Sequence, residues 1–475
     1  MNGVLVVGIT KNNYLILDTV DVTKYKSLDD LYEHLLGLKK EVFQDHERIV
    51  IHYSTDKQLG LIKELLTTID IPEFFVAFEQ IESTDNSIDF NFSESFCIYP
   101  WINLRISTLG EISPCCKFDT TGLTENINTD NIKELYLGKN MSALREALRQ
   151  GQKPTQCNAC WKEESAGLES MRQRAKYKFR EIYHRLDYQT DSFDNLQLFD
   201  LNLGNACNLS CRICNHASSS SIADLDLRAG RLTDKKFIEL KQTVNWSETN
   251  EFWDQLLISA QNLKYLDLYG GEPLMSKNHF NFLRKLIDLG VANNIQIDYN
   301  SNGTVYSEKF FDLWDHFKSV KISFSIDDVE DRFEYQRNGA NWAQVNDNIK
   351  KYCAKISDKF TTDIFPTINI QNVYYLPELL LWAQTVNLPI SFSILHGPDF
   401  LSIQNIPNNA RAAIIAKLQP FVHYDVINAV INVLEQTTDC NSHAFNEYMK
   451  TLDHERSQNF QQSHKEIAEL MGYGQ

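Results

Sequence analysis

Residues 198–214 read LFDLNLGNACNLSCRIC, a short apolar run that ends in a glycine and three cysteines. The run alternates and is rich in leucine, which predicts a buried strand. Cys207, Cys211 and Cys214 then fall in one loop at the strand's C-terminal end. Downstream the same rhythm returns. KYLDLYG, IQIDYNS, VKISFSID, TDIFPTINI and PISFSIL read as strands. Between them, NHFNFLRKLIDLG, SEKFFDLWDHF, AQVNDNIKKYCAKI and PELLLWAQTV have helical periodicity. Six strands alternating with helices imply an α/β fold with a parallel sheet and right-handed crossovers, doubly wound or curved into a partial (β/α)6 TIM-type barrel. In either form, chemistry belongs at the C-terminal strand ends, where the cysteine loop sits.

Working outward, residues 1–85 read as a small N-terminal α/β domain. Its expected strands include VLVVGIT, YLILDTV, RIVIHYS and FFVAFEQI, with helices over SLDDLYEHLLGLKKEVF and DKQLGLIKELLTTI. A polar linker over 83–95 leads to a cysteine-rich segment (96–180) containing the strand-like WINLRIST and the helical NIKELYLGKNMSALREALRQG. The core spans 196–405, and a mostly helical extension covers 406–475.

With 475 residues the chain exceeds one ordinary core. A formal net charge of −17 argues against nucleic acid or an anionic membrane as the default partner. No apolar run is long enough to span a membrane, and the N-terminus carries no basic leader, so a cytoplasmic location is expected. Ten cysteines are many for a reducing compartment unless they bind metal or react. Only Cys353 and Cys440 stand apart from the two groups.

Three thiols are the informative count, because an iron–sulfur cube needs four ligands and a three-cysteine site leaves one iron open. A zinc site completed by His216 is the alternative, although C-x3-C-x2-C spacing after a strand is unusual for zinc. With its strand-then-loop setting, CNLSCRIC resembles the signature of the radical S-adenosylmethionine (SAM) superfamily, and the resemblance covers about residues 196–400. It implies a catalytic [4Fe-4S] cluster on Cys207, Cys211 and Cys214, with SAM chelating the open iron. Cleavage of SAM then yields a 5′-deoxyadenosyl radical that abstracts hydrogen from substrate, and a flavodoxin- or ferredoxin-type donor supplies the electron.

Further segments resemble the family's SAM contacts. Gly270, Gly271, Glu272 and Pro273 form a GGEP motif, which receives the SAM amino group. Asn300 opens a TNG-like segment. Ser323, Ser325 and Asp327 end the fourth strand, where ribose is bound. Arg337, in YQRNG, would pair with the SAM carboxylate, and Ile213 would pack on adenine. For Asn300, Ser323, Ser325, Asp327 and Arg337 the alternative is a strand-end cap or surface ion pair, and for GGEP a simple turn.

Cys97, Cys115, Cys157 and Cys160, with CIYPW and a G-x4-C spacing from Gly110, resemble the twitch domain, a short form of the SPASM domain. That resemblance implies an auxiliary [4Fe-4S] cluster. Cys116 competes with Cys115, and a four-thiolate zinc site is the alternative. In most relatives this domain follows the barrel, whereas here it precedes it.

For function, the resemblance points first to modification of a ribosomally synthesised peptide. Dehydrogenation or epimerisation of a sugar, cyclitol or other small hydroxylated metabolite comes second, and a non-enzymatic scaffold third. Cys353, Cys440 and His396 are weaker reactive candidates, since lone residues of these types are more often structural.

Overall fold

The computed structural model describes the backbone of residues 4–10, 13–20, 48–53 and 76–80, and residues 93–165, 169–183, 185–395, 397–436 and 442–474. The expected helices of residues 1–85, together with His396 and Cys440, lie outside the described residues. The chain divides into two compact units, one of 1–92 with 162–170 and one of 93–161 with 171–475.

In the first unit, strands β1 (Val4–Thr10), β2 (Asn13–Val20), β3 (Arg48–Tyr53) and β4 (Val76–Gln80) make one sheet in the order β2-β1-β3-β4. β1 runs antiparallel to β2 and β3, while β3 and β4 are parallel.

The second unit is built on a mainly parallel sheet. Its strands are β5 (Asn103–Ile106), β6 (Ile112–Ser113), β7 (Leu198–Leu203), β8 (Tyr265–Gly270), β9 (Gln296–Ser301), β10 (Ser319–Phe324) and β11 (Phe360–Ile364). They lie in the order β11-β10-β9-β8-β7-β5-β6, and all neighbours are parallel except the β5–β6 hairpin. Residues 266 and 268 of β8, 297 and 299 of β9, and 320 and 322 of β10 point to the helical layer and are fully buried. The intervening Asp267, Asp298 and Lys321 stand opposite one another on the other face, so one period-2 pattern makes one face apolar and the other polar.

This is the expected α/β arrangement, with its last two strands shortened. TDIFPTINI does not run as one strand. Pro366 has no amide donor, and it separates β11 from β12 (Thr367–Ile368). PISFSIL is reduced to β13 (Ser393–Ile394), which pairs with β12, plus a bridge from Ile364 to Ile390. At the other edge, β5 from the cysteine-rich segment adds to β7, so the two cysteine groups share one sheet. WINLRIST contributes only β5, because Pro100 starts a helical turn over Tyr99–Ile102. The helix expected after Asn131 breaks at Gly138 into Ile132–Leu137 and Lys139–Arg149. Past Pro407 the chain is helical, including Asn408–Leu418, Asp425–Gln436 and His443–Arg456. Among the described residues no helix is long and apolar enough to cross a membrane.

Candidate active site and auxiliary cysteine cavity

The loop after β7 is held from three sides. The serine run that follows it turns back on the first cysteine. Ser221 Oγ donates to the Cys207 carbonyl at 2.8 Å, Ser219 Oγ to the Leu209 carbonyl at 2.6 Å, and Ser220 Oγ accepts from the Cys207 amide at 3.2 Å. From the barrel, YQRNG pairs with the loop's middle, where the Ser210 amide donates to the Asn338 carbonyl at 2.9 Å and the Arg212 amide to the Gln336 carbonyl at 2.8 Å. Gly339, at φ +97°, permits this approach, since a Cβ there would lie 3.3 Å from the Asn208 carbonyl oxygen.

The GGEP motif supplies the third side. The Gly271 amide donates to the Gly204 carbonyl at 3.2 Å and the Glu272 amide to the Ala206 carbonyl at 2.8 Å. A Cβ on Gly271 would stand 2.2 Å from the Ala206 oxygen, and one on Gly270 (φ +122°) 2.5 Å from the Leu203 nitrogen. Gly271 is therefore required by contact with the cysteine loop itself, and Gly270 by contact with the end of β7.

The polar side chains of the region face the thiols or brace one another. Asn302 Nδ2 lies 3.9 Å from Cys207 Sγ and donates to Asn208 Oδ1 at 3.1 Å. Arg337 Nη1 lies 3.9 Å from Cys211 Sγ, while its Nη2 pairs with Asp327 Oδ2 at 2.8 Å, both groups being buried. Asp327 also accepts from the Thr367 amide at 2.8 Å, so its carboxylate is engaged by protein donors. Glu272 is likewise buried. It accepts from Ser301 Oγ at 3.0 Å, the Asn302 amide at 2.7 Å and the Leu274 amide at 3.3 Å, which joins the end of β8 to the end of β9. Burial pushes its carboxyl up to about 7 against these hydrogen bonds. Asn300 is exposed beside the buried Ser323 of the next strand, and Ser325, whose amide donates to the Ser301 carbonyl at 2.8 Å, and Ile213 are half-buried. Burial also pushes the Cys211 thiol up to about 12, with Arg337 opposing the rise.

Of the segment 300–303 the sequence reading chose Asn300 as the contact, whereas Asn302 is the side chain found at 3.9 Å from Cys207 Sγ, with Asn208 beside it. Asn302 lies just beyond the strand, where alternation no longer assigns a direction. Cys353 ends the helix Trp342–Cys353 and packs on the core with Sγ 3.7 Å from the Val386 carbonyl oxygen, so the structure does not bring it to the cysteine loop.

The second cysteine group surrounds a cavity. Cys97, Cys115, Cys157 and Cys160 all line it, together with Tyr99 and Arg172. The β5–β6 hairpin, turned by Gly110 at φ +83°, delivers Cys115. Ser113 Oγ donates to the Cys115 carbonyl at 3.1 Å, and Asn103 Nδ2 donates to the Pro114 carbonyl at 2.8 Å. Cys157 closes a 3-10 turn, and Cys160 lies in the first turn of the helix Asn158–Ser165. The Asp119 amide bonds the Gln156 carbonyl at 2.9 Å, tying the Cys115 loop to that turn. Arg172 donates to the carbonyls of Glu94 and Phe96 at 2.7 and 2.8 Å, which fixes the approach to Cys97. Cys116 does not line the cavity, and its Sγ lies 3.7 Å from Met171 Sδ. Burial raises the Cys97 and Cys157 thiols to about 12.

Comparison with known families bears on both regions. Residues 201–383 match the radical SAM superfamily, and residues 97–161 match the iron–sulfur cluster-binding domain called SPASM. The chain carries a radical SAM domain. Domains of the first kind take a [4Fe-4S] cluster with SAM, and the second match is to an iron–sulfur cluster-binding domain. One loop presents three thiols beside an arginine and an amide donor, and a separate cavity is lined by four, which is the donor chemistry such groups take.

A search for similar curated proteins returned no match. Among solved structures, the chain resembles native anSMEcpe with bound AdoMet at 15% identity and a TM-score of 0.34, over 49% of this chain and 62% of that one. It resembles native anSMEcpe with bound AdoMet and Cp18Cys peptide at 13% identity and a TM-score of 0.32, over 49% and 61%. Streptococcus suis SuiB bound to precursor peptide SuiA is 12% identical with a TM-score of 0.31, over 68% and 69%. The chain thus spans about three fifths of the first of these structures' length.

Proposed function

We propose that Cys207, Cys211 and Cys214 hold the catalytic cluster, and that the enzyme abstracts hydrogen from a ribosomally synthesised peptide. The observation that carries this reading is the convergence of Asn302 and Arg337 on the thiols of a single loop at the C-terminal end of β7. Both donors favour the ionised sulfurs that a cluster requires. When bound, the cluster and SAM supply the 5′-deoxyadenosyl radical.

The protein's own part is to bind and orient. Gly270, Gly271, Glu272 and Pro273 would fix the floor beneath the SAM amino group through backbone atoms. Arg337, held by Asp327, would face the SAM carboxylate. Ser323 and Ser325, with Asp327, would contact ribose, Asn300 would close the neighbouring SAM-binding strand end, and Ile213 would pack on adenine. Cys97, Cys115, Cys157 and Cys160 would hold the auxiliary cluster. With all four thiols used, that cluster suits electron transfer or structure better than substrate ligation.

The proposed division of labour keeps the expected bounds, with 1–85 an accessory domain, 96–180 the auxiliary domain, 196–405 the barrel and 406–475 a helical extension, whereas the compact units group 162–170 with the first unit and the rest of 93–475 together. The peptide reading rests on the SPASM-type match, since such domains commonly accompany peptide modification. An electron donor of the flavodoxin or ferredoxin kind completes the system.

The test is anaerobic reconstitution followed by iron, sulfide and 5′-deoxyadenosine analysis. We expect about eight irons in the wild type, about four in a Cys207/Cys211/Cys214 triple alanine variant, and 5′-deoxyadenosine only from the former. No iron in either protein overturns the cluster assignment. Turnover on a sugar or cyclitol, with none on peptides encoded beside the gene, overturns the peptide assignment alone.

A further inference from the structure

Arg212 sits between the second and third cysteines of the loop, yet its side chain points away from any thiol and is fully buried. Its Nε donates to the Tyr335 carbonyl at 3.1 Å, and its guanidinium carbon lies 3.7 Å from the centre of the Tyr335 ring. Nη2 donates to Asp453 Oδ1 at 2.7 Å and to Gln458 Oε1 at 2.9 Å. Asp453 belongs to the helix His443–Arg456 of the C-terminal segment. Its carboxylate is filled by protein donors. Oδ1 also accepts from Tyr335 Oη at 2.6 Å, and Oδ2 accepts from the Phe460 amide at 2.7 Å and Tyr473 Oη at 2.8 Å. From the same helix, Tyr448 Oη donates to the Arg212 carbonyl at 2.6 Å.

A buried guanidinium is tolerated only where it is paired and hydrogen-bonded, and so is a buried carboxylate. These two satisfy each other across more than two hundred residues of sequence, one from the cysteine loop and one from the C-terminal helices. The pair is tied to the barrel as well, through the Tyr335 carbonyl and hydroxyl. What it does is define where the peptide between Cys211 and Cys214 lies.

We infer that the C-terminal helices are a clasp on the cysteine loop, with Asp453 and Arg212 as positioning residues that hold Cys211 and Cys214 in place for the cluster. This rests on the assignment of those cysteines as cluster ligands. Both act through the loop and not as ligands themselves. Tyr448 is a second, independent fastening on the same peptide.

The experiment compares full-length wild type, Asp453→Asn and Tyr448→Phe, each reconstituted with iron and sulfide and each also prepared without iron. Hydrogen exchange is followed by mass spectrometry on peptides covering 204–216, 443–464 and the strand 265–270. The rate of iron loss to a chelator is followed by cluster absorbance. We expect exchange over 204–216 to rise at least tenfold in Asp453→Asn and two- to threefold in Tyr448→Phe, with 265–270 unchanged. Iron loss from the catalytic site should quicken in the same order, and loss from the auxiliary site should not change. Should Asp453→Asn fail to fold, Tyr448→Phe still decides through its smaller shifts. Unchanged exchange over 204–216 in the variant or variants that fold overturns the clasp, even if 443–464 loosens. Faster exchange over 204–216 in iron-free protein, in a chain that binds no catalytic iron even as wild type, supports the clasp and overturns the cluster assignment instead.

Discussion

The loop of Cys207, Cys211 and Cys214 and the cavity of Cys97, Cys115, Cys157 and Cys160 rely on the same thiol chemistry but are assembled in opposite ways. The first puts its cysteines on one continuous loop and fixes that loop from outside, through the serine run, the GGEP backbone, YQRNG and the C-terminal helices. The second gathers its thiols from a pre-helix segment, a hairpin end and a helix start. In the loop, the chain segment itself brings the thiols together and the fold only has to aim them. In the cavity, the fold has to bring them together, at the entropic cost of closing the intervening chain.

The largest expected effect separates the two sites. The triple alanine variant of the loop should lose 5′-deoxyadenosine formation completely. A Cys157→Ala/Cys160→Ala variant should lose about four irons yet still cleave SAM without turning over substrate. Product analysis and iron content on the same preparations check this, and loss of SAM cleavage in both would erase the distinction. Next comes the choice inside the cavity. Cys115→Ala should remove the auxiliary cluster's absorbance and its iron, and Cys116→Ala should leave both in place, because only Cys115 lines the cavity. The reverse outcome would move the ligand set by one residue.

Glycine substitutions should rank the two scaffolds by rigidity. Gly271→Ala would drive a Cβ to 2.2 Å from the Ala206 oxygen, where backbone must move, and should cost about 3 kcal/mol in denaturant unfolding. Gly110→Ala meets the Asn126 and Asn128 side chains at 2.5 and 2.7 Å, which can swing aside. With φ at +83° it should still cost about 1–2 kcal/mol. Equal costs would mean that the loop has more room than its contacts indicate.

The same contrast explains what was legible in the sequence. C-x3-C-x2-C behind a leucine-rich strand marks its own location, and period-2 and 3.6-residue patterns laid out the parallel sheet. The dispersed cysteines were legible only by resemblance, and the choice between Cys115 and Cys116 turned on a hairpin geometry that spacing does not encode. Glu272, Asp327 and Arg337 were chosen as ligand contacts, yet much of their bonding is to one another's neighbourhood. Sequence marks a polar residue at a strand end but not whether protein donors already satisfy it. The role of Arg212 was invisible for the same reason. Its partner, Asp453, lies in a helix whose own periodicity accounts for nothing beyond burial.

The smallest effect concerns the wall behind the first site. His279, in the helix Lys277–Asp288, is fully buried, and its Nε2 hydrogen-bonds with Tyr299 Oη at 2.9 Å. Burial lowers it to about 3, so the folded protein refuses a proton that the unfolded chain takes up below about 6.5. The unfolded state then binds more protons, and this group's contribution to stability falls as pH falls from 6.5 towards 3, by about 1.4 kcal/mol per pH unit. Glu272 acts with the opposite sign. Its raised carboxyl keeps a proton in the folded state that the unfolded chain has released above about 4.3, so its contribution falls as pH rises towards 7. Glu272 is present in wild type and in His279→Gln alike, so it cancels in their difference. Urea titrations of the two proteins at several pH values should therefore show the wild-type advantage shrinking on acidification, with the slope of one proton. On the auxiliary side, Tyr136→Phe removes a buried 2.5 Å hydrogen bond to the Trp101 carbonyl and no group that titrates in this range. It should cost about 1 kcal/mol equally at each pH. Should Tyr136→Phe show the slope and His279→Gln none, the buried histidine is not the neutral brace its surroundings require.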